Sequence, residues 1–261
     1  MKSKTFHLVI LIPILSWYMI FMFWPIANAI RTSFFEWNTL QVSESIFIGL
    51  RNYTELFGDR VFQTSFINTL LYVVFKTGIS IPLAIMIALL LIKVEYGRKA
   101  FIFLIFLPNI CAIAAISILF RWLYQPTFGL FNNIIKAVGL PPMGFLNDPN
   151  QALFSVIATD IWQGLGYQVI ILLAGLLEIP DTFTEAATID GARSDQTFFR
   201  IKLPLLGNVL LFVVVTTLIT AFQVFDRIAV MTEGEPGKST YVMAYFIYRQ
   251  GLYHYRAGYA T

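Results

Sequence analysis

The sequence contains 261 residues, of which 57% are hydrophobic and only 13% are charged. A soluble domain usually carries about 25% charged residues, so this composition excludes a water-soluble globular protein and indicates a membrane protein. The net charge of +3 is too small to indicate a nucleic-acid partner. Because Cys111 is the single cysteine, an internal disulfide and a cysteine-based metal cluster are also excluded.

Five stretches are long and apolar enough to cross a bilayer as helices, which takes about 20 residues each. The helices are predicted at about 6–30, 66–92, 100–120, 153–177 and 203–225. None shows the two-residue alternation of barrel strands, so the predicted fold class is all-α, a polytopic membrane helical bundle. The whole chain, 1–261, is predicted to form a single transmembrane domain. Pro108 predicts a kink in the third span.

The first span has a second interpretation as a signal peptide. Lys2 and Lys4 precede it, and Ala27-Asn28-Ala29 fits the small-residue pattern of a cleavage site. The apolar core of a signal is usually about 7–15 residues, and this run is longer, which favours a retained helix.

The positive charges predict the orientation of the spans, because Lys and Arg concentrate in cytoplasmic loops. A cytoplasmic N-terminus places 1–4, 93–99 and 178–202 inside, and 31–65, 121–152 and 226–261 outside. Lys and Arg are denser along the first set than along the second. The sequence therefore predicts that the N-terminus is cytoplasmic.

The predicted inner loop 178–204 has the pattern of two short helices joined by a turn. Thr182 and Glu185 have the spacing of a capping box at the start of the first helix, and Gly191 is suited to a left-handed turn at its end. A second helix at about 194–200 is expected to stop before Leu203-Pro204, because the residue before a proline avoids helical torsions.

This loop carries a resemblance to a known family. Glu185-Ala186-Ala187, followed at fixed spacing by Gly191, Ile201 and Leu203-Pro204, resembles the EAA signature of binding-protein-dependent ABC importer permeases. The segments 222–226 and 230–232, Phe-Gln-Val-Phe-Asp and Val-Met-Thr, are similar to the carbohydrate-uptake branch, the permeases of the maltose and glycerol-phosphate type.

The resemblance implies a six-helix permease core in a bacterial or archaeal inner membrane. It implies that the loop docks as a coupling helix on a separate ATPase through the residues Glu185, Ala186, Ala187, Asp190 and Gly191. The implied partners are a second permease subunit in a heterodimer, two ATPase subunits that carry ATP and Mg, an extracytoplasmic solute-binding protein and membrane lipid. No cofactor is expected on this chain. The sixth span is expected where the chain stops, so the chain is expected to lack it.

Polar residues in spans four and five predict the substrate path, because such residues usually face a cavity or a neighbouring helix. The candidates on span four are Asp160, Gln163, Gly164, which leaves room on the same helix face, and Tyr167; the resemblance adds Phe222 and Gln223 near the outer end of span five. Carboxylate, amide and aromatic groups together suit a sugar, and the resemblance places the sugar site of the maltose permease in these stretches. The alternative is helix packing through Gly164, with Asp160 paired to Lys76. The partner permease is an alternative carrier of the main sugar contacts.

Two other functions remain as alternatives. An ion-coupled secondary transporter would use Lys76 and Asp160 as its ion pair, but the inverted repeats of such transporters are not evident. A membrane-embedded enzyme has no candidate nucleophile, metal set or paired carboxylates in the sequence. Gly237-Lys238-Ser239-Thr240 resembles the end of a P-loop, but Thr232 stands where the first glycine of that motif is required.

Overall fold

The computed structural model describes residues 11–37 and 45–261. Lys2, Lys4 and the predicted start of the first span lie outside the described residues. The helices are α1 (Leu11–Thr32), α2 (Arg51–Gly58), α3 (Arg60–Ile92), α4 (Arg98–Ile110), α5 (Ile113–Leu123), α6 (Leu130–Ala137), α7 (Ala152–Leu177), α8 (Asp181–Ile189), α9 (Ser194–Leu205), α10 (Gly207–Phe222), α11 (Asp226–Met231), α12 (Met243–Tyr248) and α13 (Ala257–Ala260). Two short strands, β1 (Phe35–Glu36) and β2 (Ile46–Phe47), pair antiparallel, with Phe35 opposite Phe47.

Three helices, α1, α3 and α7, are each long and apolar enough to cross a membrane. Two bent helix pairs are further candidate spans: α4 and α5 meet at 95°, and α9 and α10 meet at 73°. The prediction of a helical membrane bundle is confirmed. The kink predicted at Pro108 is a complete break, because the backbone of Cys111 and Ala112 is extended between α4 and α5.

Two compact units are distinguished, 1–63 with 245–261 and 64–244. In the first, the buried side chain of Asn52 donates from Nδ2 to the carbonyl oxygens of Ser33, Phe35 and Gly258 at 2.7–3.1 Å. Tyr259 Oη donates to a carboxylate oxygen of Asp59 at 3.0 Å. Burial, with this hydrogen bond, raises the pKa of Tyr259 above its ordinary value.

The second unit has an apolar core contributed by α3, α7 and α10, whose buried side chains interdigitate. Its fully buried members include Ala84, Ala88 and Leu172. Helices α4 and α7 approach most closely at Gly166, where a Cβ atom would overlap the carbonyl oxygen of Ile105 and lie 2.7 Å from Phe106 Cα. A glycine is therefore required for this packing.

The loop between α7 and α10 differs from the sequence prediction at two helix ends. Helix α8 begins at Asp181, with Pro180 as its N-cap and no side-chain capping hydrogen bond. Thr182 therefore lies inside the helix, and the predicted capping box was wrong. The predicted stop before Leu203-Pro204 was also wrong, because α9 continues to Leu205. A π-helical turn ends at Lys202, and Pro204 therefore falls in the first turn of the following α-helical segment, where its missing donor is tolerated.

Candidate functional site

The first candidate site is the surface of α8 and the turn that follows it. Gly191 has φ +76°, as predicted for a left-handed turn. Ala192 N donates to Ala187 O at 2.9 Å and Gly191 N donates to Thr188 O at 3.1 Å, which together form a Schellman motif. This motif satisfies the last carbonyls of the helix and fixes its C-terminal end.

Most of the predicted coupling residues lie on an open surface. Glu185, Ala186, Asp190 and Gly191 are exposed, whereas Ala187 is buried against the protein. Ile189 is 86% exposed at the C-terminal end of the helix. The end of α8 therefore presents an exposed apolar side chain close in sequence to the exposed carboxylates of Glu185 and Asp190.

The second candidate site is a cavity of about 300 Å³ in the second unit. It is lined by Lys76, Asn109, Cys111, Ile113, Asp160, Gln163, Gly164, Tyr167, Gln168, Thr216, Thr217, Thr220 and Arg227. Four of the six predicted substrate-path residues therefore share one cavity. Phe222 and Gln223 do not line it; both are exposed at the C-terminal end of α10.

A buried charge cluster forms one wall of this cavity. Lys76 Nζ lies 2.7 Å from Asp160 Oδ2, and Arg227 Nε lies 3.0 Å from Asp160 Oδ1. Tyr72 Oη donates to Asp160 Oδ2 at 2.8 Å. The pairing of Lys76 with Asp160, which the sequence left as an alternative, is present, and a second cation joins it from α11.

Gln163 connects this cluster to the break between α4 and α5. Its Oε1 accepts from Arg227 Nη2 at 2.9 Å, and its Nε2 donates to the carbonyl oxygens of Pro108 and Cys111 at 3.1 and 2.9 Å. These carbonyls lie where the helical hydrogen-bond pattern is interrupted. The side chain of Gln163 therefore forms hydrogen bonds both with Arg227 and with the backbone at the break between α4 and α5.

Gly164 and Gly166 have different environments although both lie on α7. A Cβ atom on Gly164 would meet no described heavy atom within 4 Å, whereas one on Gly166 would overlap the backbone of α4. The close helix packing considered for Gly164 is therefore made by Gly166. Gly164 instead widens the cavity beside Tyr167.

Comparison with known proteins identifies the class of this chain. Residues 56–253 match the family model described as binding-protein-dependent transport system inner membrane component. The chain belongs to this family. The permease resemblance inferred from the EAA loop is thereby confirmed.

The permease has relatives and a structural neighbour that span almost its whole length. It is 33% identical to the probable ABC transporter permease protein YurN of Bacillus subtilis, over 100% of this chain and 90% of that protein. It is 32% identical to the sn-glycerol-3-phosphate transport system permease protein UgpA of Yersinia pseudotuberculosis, over 89% and 79%. A chain of the bacterial alginate ABC transporter, crystallised in complex with an alginate pentasaccharide-bound periplasmic protein, superposes with a TM-score of 0.84 at 26% identity, over 99% and 87%.

These comparisons decide between the functions considered from the sequence. The similarity to the glycerol-phosphate type is confirmed, and the permease is a transport component rather than an enzyme. The ion-coupled alternative is not favoured by the family, although the Lys76–Asp160 pair that it required is present.

The charge cluster and the cavity of the permease also include residues that the sequence did not indicate: Tyr72 in the cluster, and Arg227 and Thr217 at the cavity. Tyr72 lies four residues before Lys76 on α3, and this i, i+4 spacing was the available signal. Arg227 lies just beyond the predicted end of span five, in a segment predicted to be an outer loop, so nothing in the pattern placed it at a buried cavity. Thr217 accepts from Gln168 Nε2 at 3.0 Å, and an apolar span does not show which of its threonines faces a cavity.

Proposed function

We propose that this chain is a permease subunit of an ATP-driven importer that moves a sugar or sugar-like solute delivered by an extracytoplasmic binding protein. Family membership supports import with a binding protein. The solute class is supported by relatives whose names specify sn-glycerol-3-phosphate and sulfoquinovosyl glycerol. The alginate transporter, whose periplasmic protein holds a pentasaccharide, supports it further.

The permease couples to a separate ATPase through α8 and its C-terminal turn. The observation that carries this proposal is the exposed end of α8, where Ile189 is 86% exposed beside Glu185 and Asp190. Coupling through this loop requires it, and the N-terminus, to face the cytoplasm. A second permease subunit and two ATPase subunits complete the importer; ATP and Mg bind the ATPases, and this chain binds no cofactor.

The cavity between α3, α7 and α10 is the substrate path in this proposal. Asp160, Gln163, Gly164 and Tyr167 line it, and Phe222 and Gln223 would contact the solute at another stage of its passage. A cavity of about 300 Å³ is at the lower end of the volumes of small-molecule sites, about 300–1,000 Å³. It therefore suits one sugar unit.

The coupling proposal is tested by Gly191→Asp, with Gly97→Asp as its matched control. Both glycines have a left-handed φ, +76° and +78°, and a Cβ at either would meet no described heavy atom within 4 Å. The strain is therefore the same, and only Gly191 belongs to the coupling loop. We expect Gly191→Asp to lower the amount of co-purified ATPase more than about tenfold, as loss of an interface hot spot does, and Gly97→Asp to leave it unchanged.

Glu185→Lys provides a second arm of the same experiment, because it reverses an exposed charge without backbone strain. We expect it to weaken ATPase co-purification as well. If either coupling-loop variant co-purified with as much ATPase as the wild type, α8 would not bind the ATPase, and the coupling proposal would be abandoned.

A further inference from the structure

The charges that line the cavity do not balance. Among the described residues that line it, those with formal charge are Lys76, Arg227 and Asp160, two cations and one carboxylate. Both carboxylate oxygens of Asp160 are engaged, one by each cation. The cluster therefore has one formal positive charge in excess, in a part of the protein where an uncompensated charge is costly.

Two polar atoms of residues that line this cavity are buried without a hydrogen-bond partner among the described residues. They are Arg227 Nη1 and Gln168 Oε1. The other guanidinium nitrogens of Arg227 are engaged, Nε by Asp160 and Nη2 by Gln163, and its side chain is only 7% exposed. An unpaired cationic donor and an unpaired acceptor on residues that line one cavity fit a ligand that offers an anionic oxygen and a hydroxyl group.

We propose that this cavity binds the acidic group of an anionic, hydroxyl-bearing solute, such as a sugar phosphate, sulfonate or uronate, in preference to a neutral sugar. Arg227 and Lys76 attract and orient the acidic group, and Asp160 holds the two cations at the cavity wall. Thr216, Thr217 and Thr220 place hydroxyl groups around the same space. This inference rests on the proposed function, since it assumes that the cavity belongs to the substrate path.

The single cysteine of the chain provides a test that does not require the solute to be known. Cys111 lines the cavity and is exposed. In open membrane fragments that contain the assembled importer, its thiol is modified with an anionic methanethiosulfonate (ethylsulfonate) or a cationic one (ethyltrimethylammonium). Modification of this chain is followed by intact-mass spectrometry. The ratio of the rate with the anionic reagent to the rate with the cationic reagent is divided by the same ratio for a free thiol in solution.

A positive cavity concentrates the anionic reagent and repels the cationic one. We expect the normalised ratio to favour the anionic reagent on the order of tenfold or more, the lower range of electrostatic focusing in charged clefts. Arg227→Gln and Lys76→Gln each remove the excess charge, so the ratio should fall towards one. Arg227→Lys, which keeps the charge, should retain most of the preference.

Arg121→Gln is the matched control, because Arg121 is exposed and does not line this cavity; its ratio should equal that of the wild type. A wild-type ratio near one, or no modification of Cys111 by either reagent, would overturn the proposal. So would an anionic preference that survives in both neutralised variants. The normalised ratio of the wild type tests the positive charge of the cavity even if a variant fails to assemble.

The outcome is separable from that of the coupling experiment. Cys111 labelling measures the charge of the cavity and needs no ATPase activity, whereas the Gly191→Asp experiment measures ATPase binding and is independent of the cavity. If only the labelling preference at Cys111 is absent, the anionic-solute proposal has failed. If only the effect of Gly191→Asp on ATPase co-purification is absent, the coupling proposal has failed.

Discussion

Asp160 illustrates how far a single residue can be understood from the sequence. A carboxylate in an apolar span predicts a partner, and Lys76 lies at a depth that permits pairing; the structure places the two at 2.7 Å. The second cation, Arg227, comes from a short helix beyond span five, and its position depends on the turn after α10. Chain turns of this kind leave no periodic signal, so the sequence offered the Lys76–Asp160 pair as an alternative but did not indicate that Arg227 joins it.

Asp160→Asn removes the only carboxylate among the described residues that line the cavity and leaves Lys76 and Arg227 without compensation. We expect destabilisation of about 3–5 kcal/mol, the usual cost of breaking a buried ion pair from one side. Thermal unfolding of the detergent-solubilised protein measures it. Asp226→Asn is the control, because Asp226 is exposed and adjacent to Arg227 in sequence. Equal stability of the two variants would mean that the cluster does not depend on Asp160.

At the scale of elements, the lengths of the spans follow from the thickness of the bilayer, but their breaks do not. Pro108 signalled a distortion in span three; the 95° bend also depends on Gln163, which supplies donors to two carbonyls at the break. The end of α9 was misjudged because a π-helical turn before Pro204 shifts the register of hydrogen bonds. Such turns result from packing and have no local sequence rule.

The packing of α4 on α7 gives a prediction with a control two residues away. Gly166→Ala places a Cβ against the backbone of Ile105 and Phe106, so the two helices must separate. We expect a loss of about 1–3 kcal/mol, as for other overpacked contacts, in thermal unfolding. Gly164→Ala fills open space and should change stability by less than about 0.5 kcal/mol. A larger loss for Gly164→Ala than for Gly166→Ala would contradict the described packing.

At the scale of the whole molecule, the structure contains a buried charged cavity in the helical bundle and an exposed helix, α8, after the span α7. The helix α8 and the left-handed Gly191 that ends it were predicted from the sequence, because both depend on short-range requirements; the coupling role of this helix stays a prediction. The cavity was predicted less completely, because it is assembled from α3, α7, α10, α11 and the break after α4. Residues from so many elements meet only through tertiary packing.

The proposed contact between α8 and the ATPase is tested most directly by a photo-crosslinking amino acid in place of Ile189, whose side chain is 86% exposed. The experiment uses cells that express the complete importer. The same reporter at Phe128, 65% exposed in a predicted outer loop, is the control. We predict an adduct between this chain and the ATPase subunit from position 189 and none from position 128. Absence of that adduct from position 189, with the importer assembled, would contradict the account.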